Sequence, residues 1–585
     1  MILEKTNKDH IDDFLRDFSK INKVLLIRVP SINYKTFNIE HQKKTGYMTY
    51  QPISITTLAA TLREKLPNLD IKLVDLEYET LKKMFDTEIK DNILENTVKK
   101  EINDFKPDLV GLSVVFSVGI TNGISIMKTI KSINKKIMVV FGGVHCTFDF
   151  ERIIREGSDM VFLKEADTTF PAFIEYVRGK INFNEDIHGF AIKNKNGFKK
   201  IEYTKYPDFK NLPMPAWDMI DTGNYHKVSQ VCGLKNVIDE KGPTAIVQTL
   251  RGCVARCTFC SVRNFNGFGI RTRTTKDAVD EIEYLVKSYG VKYIEIVDDD
   301  FTADLKRAIE ICKEIVRRKI NITWSLDNGI RLLTITDELA ENLVSSGCRL
   351  ISVGVESGDK EILHKIKKPL TLPGLYKKME MMNKYPEIYV KGNFIVGFPF
   401  ENYQQLQNSY KVASELDFDW IIFSIYSPLI GTDSINYMDK ETQSEIRYNE
   451  TNYGTTDFIP DGYKSINEFN NEVYLKNLEY NFHKNPNFLG KRLGYKRAIK
   501  DFKRILDGTD TEHALAMYCL SKLDFIIGKK EAHDYHKKSL EIIKRDKKWQ
   551  YFFHKLGIIY SLKSEREFVF PDFKSGRELD GDRLT

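Results

Sequence analysis

No stretch of this 585-residue chain approaches 18 consecutive apolar residues, so the sequence predicts no membrane span. The opening residues, MILEKTNKDHIDDF, lack the apolar core of a secretory signal, which sets the expectation of a cytoplasmic protein with reduced thiols. Charge of one sign is missing too: the net +6 comes from bases interspersed with acids, and no nucleic-acid partner is expected. Cysteine is scarce, with Cys146, Cys232, Cys253, Cys257, Cys260, Cys312, Cys348 and Cys519 the full set. Three of these crowd into eight residues, which is poor spacing for disulfides and good spacing for metal. Internal repeats and low-complexity tracts are absent. What remains is ordinary globular composition over a length that calls for about three or four domains.

After a leader over 1–20, apolar runs alternate with amphipathic segments. Lys23–Pro30, Asp70–Glu77, Leu109–Phe116, Lys136–Gly143 and Met160–Glu165 read as strands, continuous and β-branched as strands buried on both faces are. Thr57–Leu66, Asn122–Asn134 and Phe150–Glu156 read as the helices between them. This pattern over 21–179 predicts a doubly wound, Rossmann-like α/β sheet that binds ligands beyond the carboxyl ends of its strands. Residues 180–240 break the rhythm, with a hairpin turning at Asn196-Gly197 and a proline-stiffened linker, LPMPAW.

From 241 to 435 the alternation resumes. Thr244–Leu250, Val291–Asp298, Ile322–Asn328, Leu350–Glu356, Tyr389–Phe398 and Trp420–Pro428 are strand candidates, with helices such as Lys276–Tyr289 and Asp304–Lys319 between them. Six units in this length predict a partial (β/α)6 barrel of the TIM type, with chemistry at its C-terminal mouth. Residues 436–585 lose the strand signal and read as a C-terminal α-helical domain. Tyr474, Tyr495, Lys496, Arg497 and Tyr518 are candidates there for a mouth over the barrel, or simply for helical surface and core.

The stretch Arg251-Gly-Cys-Val-Ala-Arg-Cys-Thr-Phe-Cys260 follows the first barrel strand. Three thiolates in one loop can ligate three irons of a four-iron, four-sulfur (4Fe–4S) cluster and leave the fourth iron open, as catalysis requires. Zinc would want a fourth ligand, and neither His145 nor Cys232 sits at usual zinc spacing. The remaining five cysteines are scattered, with only Cys146 ahead of residue 232 and only Cys519 in the tail, so a single cluster is expected; Cys312 and Cys348 read as core residues of barrel helices.

This stretch resembles the CxxxCxΦC motif of radical S-adenosylmethionine (SAM) enzymes, with Phe259 as the aromatic Φ. The resemblance implies Cys253, Cys257 and Cys260 as cluster ligands, SAM chelating the open iron, and Phe259 near the adenine. Asp298, Asp299 and Asp300 stand where the superfamily holds the SAM amino group, although three adjacent acids also suit a cap on the next helix. Val353-Gly-Val-Glu-Ser-Gly358 resembles the ribose-contacting segment, favouring Glu356 and Ser357. Asn393-Phe-Ile-Val-Gly-Phe-Pro399 resembles the adenine-contacting segment, which contains Ile395; it departs from the family pattern at Asn393 and at Pro399-Phe-Glu-Asn402.

The domain ahead of the barrel resembles the cobalamin (B12)-binding domain of class B radical SAM enzymes. The matching pieces are Gln51–Ala60, which includes Pro52, then Val110–Ser113 and Phe141–His145. By that likeness Gly142 and Gly143 let the backbone approach cobalamin, and Ser113 and Ser117 lie near its nucleotide tail. Lys164-Glu-Ala-Asp167 keeps only Glu165 in register with the family's loop. The lower-ligand motif Asp-x-His-x-x-Gly is missing, so cobalt is expected to lack a histidine, with His145 a loop or interface residue.

Together these resemblances imply a methyltransferase that methylates cob(I)alamin with one SAM and makes a 5′-deoxyadenosyl radical from a second. The methyl group would go to an unactivated carbon of a small-molecule, natural-product or peptide substrate, with flavodoxin or ferredoxin as electron donor. A radical cyclisation, rearrangement or oxidation stays open as an alternative, as does, more remotely, a SAM- or cobalamin-responsive binding protein without turnover. No acid–base catalyst is assigned.

Overall fold

A computed structural model describes residues 2–18, 20–34, 37–40, 42, 47–86, 92–195, 197–230, 242–438, 440, 460–508 and 512–558. The chain divides into two compact units, Met1–Tyr474 and Leu475–Thr585. Asn196 and Cys232 lie outside the described residues, as does much of 436–465.

The first unit opens with helix α1 (Ile2–Leu15), followed by strand β1 (Lys23–Arg28), helix α2 (Ile53–Lys65) and strand β2 (Asp70–Asp75). Then come β3 (Leu109–Ser113), α3 (Ile120–Ile133), β4 (Met138–Gly142), α4 (Val144–Phe148) and β5 (Met160–Phe162). The strand order is β2-β1-β3-β4-β5, all parallel. Successive side chains of β1 enter opposite cores: Val24 and Leu26 join Leu109 and Val140 on one face, Leu25 and Ile27 join Val110 and Phe141 on the other. Burial on both faces is why these strands read as unbroken apolar runs. Chain direction across the sheet reverses between β1 and β3, the position at which open α/β sheets form a ligand crevice.

Two features differ from the sequence-based expectation. The hairpin β6 (Phe190–Asn194) and β7 (Gly197–Ile201) does not stand between domains. It continues the first sheet as an antiparallel edge, with Phe190 opposite Phe162. The leader is likewise part of this unit: Ile11 of α1 is fully buried in the core that holds Phe173 and Phe190, and Tyr176 donates a hydrogen bond to Asp12. Both errors come from reading boundaries off local rhythm, which carries no information about where an edge finds its cover.

The second sheet runs β8 (Thr244–Val247), β11 (Tyr293–Ile296), β12 (Thr323–Ile330), β13 (Cys348–Glu356), β14 (Tyr389–Val396) and β15 (Trp420–Ile425), parallel and in chain order. Six sequential parallel strands match the expected partial barrel. Between β8 and β11 lie a small antiparallel ribbon, β9 (Leu250–Arg251) with β10 (Arg271–Thr272), and helix α5 (Thr275–Tyr289). Helices α6 (Leu305–Arg317), α7 (Lys360–Lys365) and α8 (Tyr403–Glu415) follow β11, β13 and β14. Thr274 caps α5 and Asp304 caps α6 with their side chains, so none of Asp298–Asp300 serves as that cap. Cys312 is on α6 as expected, but Cys348 begins β13 rather than lying in a helix; both are fully buried.

In the second unit α9 (Gly494–Gly508), α10 (Ala514–Ser521), α11 (Lys529–Arg545) and α12 (Lys547–Lys555) form the expected helical region. His513 caps α10 by accepting from the Ala516 N–H, and its ring stacks on Phe482 at 4.6 Å. Tyr495 packs edge-on against Phe525, Arg497 pairs with Asp501, and Tyr518 packs against Phe553. Arg497 is thus engaged within α9, and Tyr495 and Tyr518 pack against other helices of the same unit. Tyr474 lies in the first unit and is partly exposed.

Candidate active site

Residues 252–270 form one loop whose two legs are the β9–β10 ribbon, directly after the first strand of the second sheet. Gly252 is there because φ is +89° and a Cβ would lie 2.3 Å from the Gly269 carbonyl oxygen, so the legs cross backbone to backbone. Two carboxylates from the end of β11 fasten the crossing. Asp298 accepts from the backbone N–H groups of Thr249 (2.5 Å) and Leu250 (2.9 Å), and Asp299 from Gly252 N–H (2.6 Å) and Asn266 Nδ2 (2.7 Å). Burial pushes the Asp298 carboxyl up to about 6, against the pull of Arg307 and these N–H groups.

The three thiols are half-buried in this loop. Cys253 Sγ lies 3.8 Å from Asp300 Oδ2, which accepts at 2.5 Å from Arg331 Nε. Cys257 Sγ lies 3.9 Å from the Lys367 carbonyl, and Thr258 N–H donates to the Ile366 carbonyl at 3.0 Å. Phe259 and Ile395 pack on one apolar cluster with Phe398 and Tyr426. Burial pushes the thiol of Cys257 up to about 11 and that of Cys260 up to about 12, so metal loading has protons to displace. Among the described residues no three His, Cys, Asp or Glu side chains converge as ligands of one metal ion.

Glu356 ends β13 in the left-handed region, φ +65°, which is strained for a residue with a Cβ. Its Oε1 accepts from Lys368 Nζ at 2.9 Å, in the space beside Gly354 where any side chain would collide with the pair. Burial works against the Lys368 ammonium, but Glu356 and the Cys257 thiol outweigh it and hold its pKa above the ordinary lysine value. Ser357, by contrast, is fully buried against Ser409, with its hydroxyl oxygens 3.2 Å apart.

Beyond Gly397, Glu401 folds back to accept from the Gly397 N–H (2.6 Å) and the Phe398 N–H (3.3 Å). It therefore shapes the segment that departs from the family pattern. Burial pushes its carboxyl up to about 7 from 4.5, the two N–H groups opposing. The folded chain thus keeps a proton that the unfolded chain releases over that window. Stability from this group is full below about pH 4.5 and lost as pH rises through about 7, by up to about 3 kcal/mol. Thermal melts from about pH 5 to 8 should show this decline, and Glu401→Gln should flatten it.

At the first sheet, Ser113 and Gly142 are paired neighbours at the carboxyl ends of β3 and β4, beside the reversal of strand order. A Cβ on Gly142 would meet only Phe162 Cβ, at 4.0 Å; Val114 N–H donates to the Gly142 carbonyl at 2.9 Å, and the residues that follow it, Val115 and Phe116, stand partly exposed. Pro52 is buried at the start of α2.

The sequence profile of the B12-binding domain matches residues 44–174 and that of the radical SAM superfamily residues 247–413. The chain belongs to the B12-domain branch of the radical SAM superfamily. The uncharacterized methyltransferase PH0819 of Pyrococcus horikoshii is 28% identical over 418 residues, covering 71% of this chain and 82% of that protein. The cytidylyl-2-hydroxyethylphosphonate methyltransferase of Streptomyces wedmorensis is 26% identical over 420 residues, 65% of this chain and 76% of that one. The cobalamin-dependent SAM radical enzyme OxsB shares the fold: TM-score 0.60 and 16% identity, over 93% of this chain and 82% of that one.

The cofactors of this radical SAM enzyme are a 4Fe–4S cluster, SAM and cobalamin, and the residues fit them. Three thiols in one loop supply soft donors for three irons. The edge formed by Gly142, Val115 and Phe116 is open and apolar, as a broad macrocycle needs.

Several expected contacts are already committed within the chain. Asp298 and Asp299 brace the cysteine loop, and Ser357 braces α8. Ser117 Oγ lies 2.9 Å from His145 Nδ1, and His145 Nε2 3.3 Å from Asp149 Oδ2, so this buried histidine links the loop at 117 to the start of the segment at 149. Gly143 (φ +113°) is needed because a Cβ would lie 2.3 Å from the Val114 carbonyl oxygen. Glu165 is bound by Arg251 and Arg271.

Sequence reasoning missed Lys368, which no motif marks. It also missed a polar set on one face of the second sheet: Lys391 pairs with Asp327, which accepts from Ser352. Glu295 is nearly fully buried beside them with Oε2 unpartnered; burial first, then Asp327, pushes its carboxyl well above the usual range. Glutamate inside an otherwise apolar strand, Tyr-Ile-Glu-Ile, was the available signal.

Proposed function

We propose that this protein is a cobalamin-dependent radical SAM methyltransferase acting on an unactivated carbon of a small organic or peptide substrate. The observation that carries the reading is the placement of Cys253, Cys257 and Cys260 in one braced loop after the first strand of a six-stranded parallel sheet, behind a switch-point domain. Both methyltransferase relatives align over more of this chain, 71% and 65%, than either domain match alone covers.

When bound, the cluster with SAM supplies a carbon-centred radical and the cobalamin supplies a methyl group. The chain's own residues bind and orient. Cys253, Cys257 and Cys260 would hold the cluster through their three thiolates. Phe259 and Ile395 offer an apolar face to adenine. Glu356 and Lys368, of opposite charge beside the loop, suit the zwitterionic methionyl end, and Asp300 with Arg331 lies by Cys253. Gly142 and Ser113, paired at the strand ends, would meet cobalamin. Hydrogen-atom abstraction needs no general base, so none is assigned. Radical SAM chemistry needs a reductant; a flavodoxin or ferredoxin in the cytoplasm is the proposed donor.

Anaerobic reconstitution with iron, sulfide, hydroxocobalamin, a reductant and SAM carrying a deuterated methyl group tests this. Formation of 5′-deoxyadenosine with deuterated methyl transfer to substrate is expected. Deoxyadenosine and product without the label would replace methylation by a radical rearrangement or oxidation, and no deoxyadenosine would end the enzyme reading.

A further inference from the structure

Four charged side chains join the B12-binding domain to the cysteine loop. Glu165 and Asp167 lie just after β5; Arg251, two residues before Cys253, is paired in register with Arg271 across the β9–β10 ribbon. Arg251 Nη1 donates to Glu165 Oε2 (2.9 Å) and Asp167 Oδ2 (2.7 Å), and Arg271 Nη1 donates to Glu165 Oε2 (2.8 Å). The linker closes over the set, with the Phe209 ring 4.5 Å from the Arg251 guanidinium and the Tyr206 ring 4.9 Å from that of Arg271. Two guanidiniums on facing strands repel, and the shared carboxylate between them holds the ribbon's two legs together.

The same carboxylate is tied to the glycine turn of the other domain. Lys164 N–H donates to Thr147 Oγ1 at 2.7 Å, and that hydroxyl donates to the Gly143 carbonyl at 3.1 Å. An unbroken path therefore runs from Gly143 through Thr147, Lys164 and Glu165 to Arg251 and on to Cys253. Every link is a directed hydrogen bond or one or two covalent residues. Burial of Arg251, Glu165 and Asp167 shields the charged links from water.

We infer that this path couples the two cofactor sites, with Glu165 as the positioning residue: occupation of the glycine edge by cobalamin changes the affinity of the cysteine loop for SAM, and reciprocally. Reciprocity follows from linkage. The inference rests on the reading that both cofactors bind as proposed.

The test is equilibrium dialysis of SAM onto the full chain carrying the oxidised cluster, with and without hydroxocobalamin. In the unaltered protein cobalamin should tighten SAM binding several-fold. Glu165→Gln should bring that ratio close to one while iron and cobalamin contents stay normal, and Arg251→Lys, which keeps charge but loses the fork, should do the same. A ratio of one in the unaltered protein, or an unchanged ratio in Glu165→Gln, overturns the coupling. Should Glu165→Gln lose iron, Thr147→Val decides, since it cuts the path without touching either arginine; an unchanged ratio there also overturns it. An unaltered protein that takes up no iron or no cobalamin instead overturns the function beneath.

Discussion

Replacing any one of Cys253, Cys257 or Cys260 by alanine abolishes iron binding and SAM cleavage, while the B12-binding domain keeps its fold and its cobalamin. Two thiolates cannot hold three irons. The loop backbone should survive, because its shape rests on Asp298, Asp299 and the Thr258–Ile366 hydrogen bond, with thiol contacts such as Ala255 N–H to Cys253 Sγ beside them. Iron and sulfide assays, chromatography for 5′-deoxyadenosine and the visible spectrum of bound cobalamin measure the three outcomes separately. A variant that retains a full cluster means a different ligand set.

The two neighbouring glycines are expected to fail differently. In Gly143→Ala the new Cβ meets the Val114 carbonyl oxygen at 2.3 Å, at a φ of +113°. Neither the backbone carbonyl nor the chain's direction can yield cheaply, and the cost is about 3 kcal/mol or more. Stability and cobalamin uptake should fall together. Gly142→Val puts its Cβ where only Phe162 Cβ lies within 4 Å, on a strand that suits a β-branched residue. That variant should melt like the unaltered protein and lose cobalamin. Normal uptake by it would place the ligand elsewhere than this edge.

The sequence made the framework legible because buried parallel strands must be apolar on both sides. Every one of the eleven parallel strands proposed from 23 to 428 is present, most of them trimmed at the carboxyl end, where the chain turns to build a site. The cysteine triplet was legible because its spacing is local. Commitments made across long separations were not. Glu165 and Arg251 are 86 residues apart, and nothing in either neighbourhood marks them as partners. Lys368 reads as one of several lysines near the end of a short helix until Glu356 is seen opposite it. Asp298 and Asp299 have the right chemistry for an ammonium, but backbone N–H groups claim them first, since buried amides must find acceptors. Asp300, the third of the run, is the one left beside a thiol.

The aromatic linker also bears on modular engineering. A chimera cut in the proline-rich stretch at 212–217 would look natural from sequence, with one parent giving the first sheet and the other the barrel. Such a cut carries Tyr206 and Phe209 away with the first parent and leaves Arg251 and Arg271 with the second. Successful recombinants should be those in which residues 164–167, 206–209 and the 251–271 ribbon come from one source, so the inheritable block straddles the apparent seam.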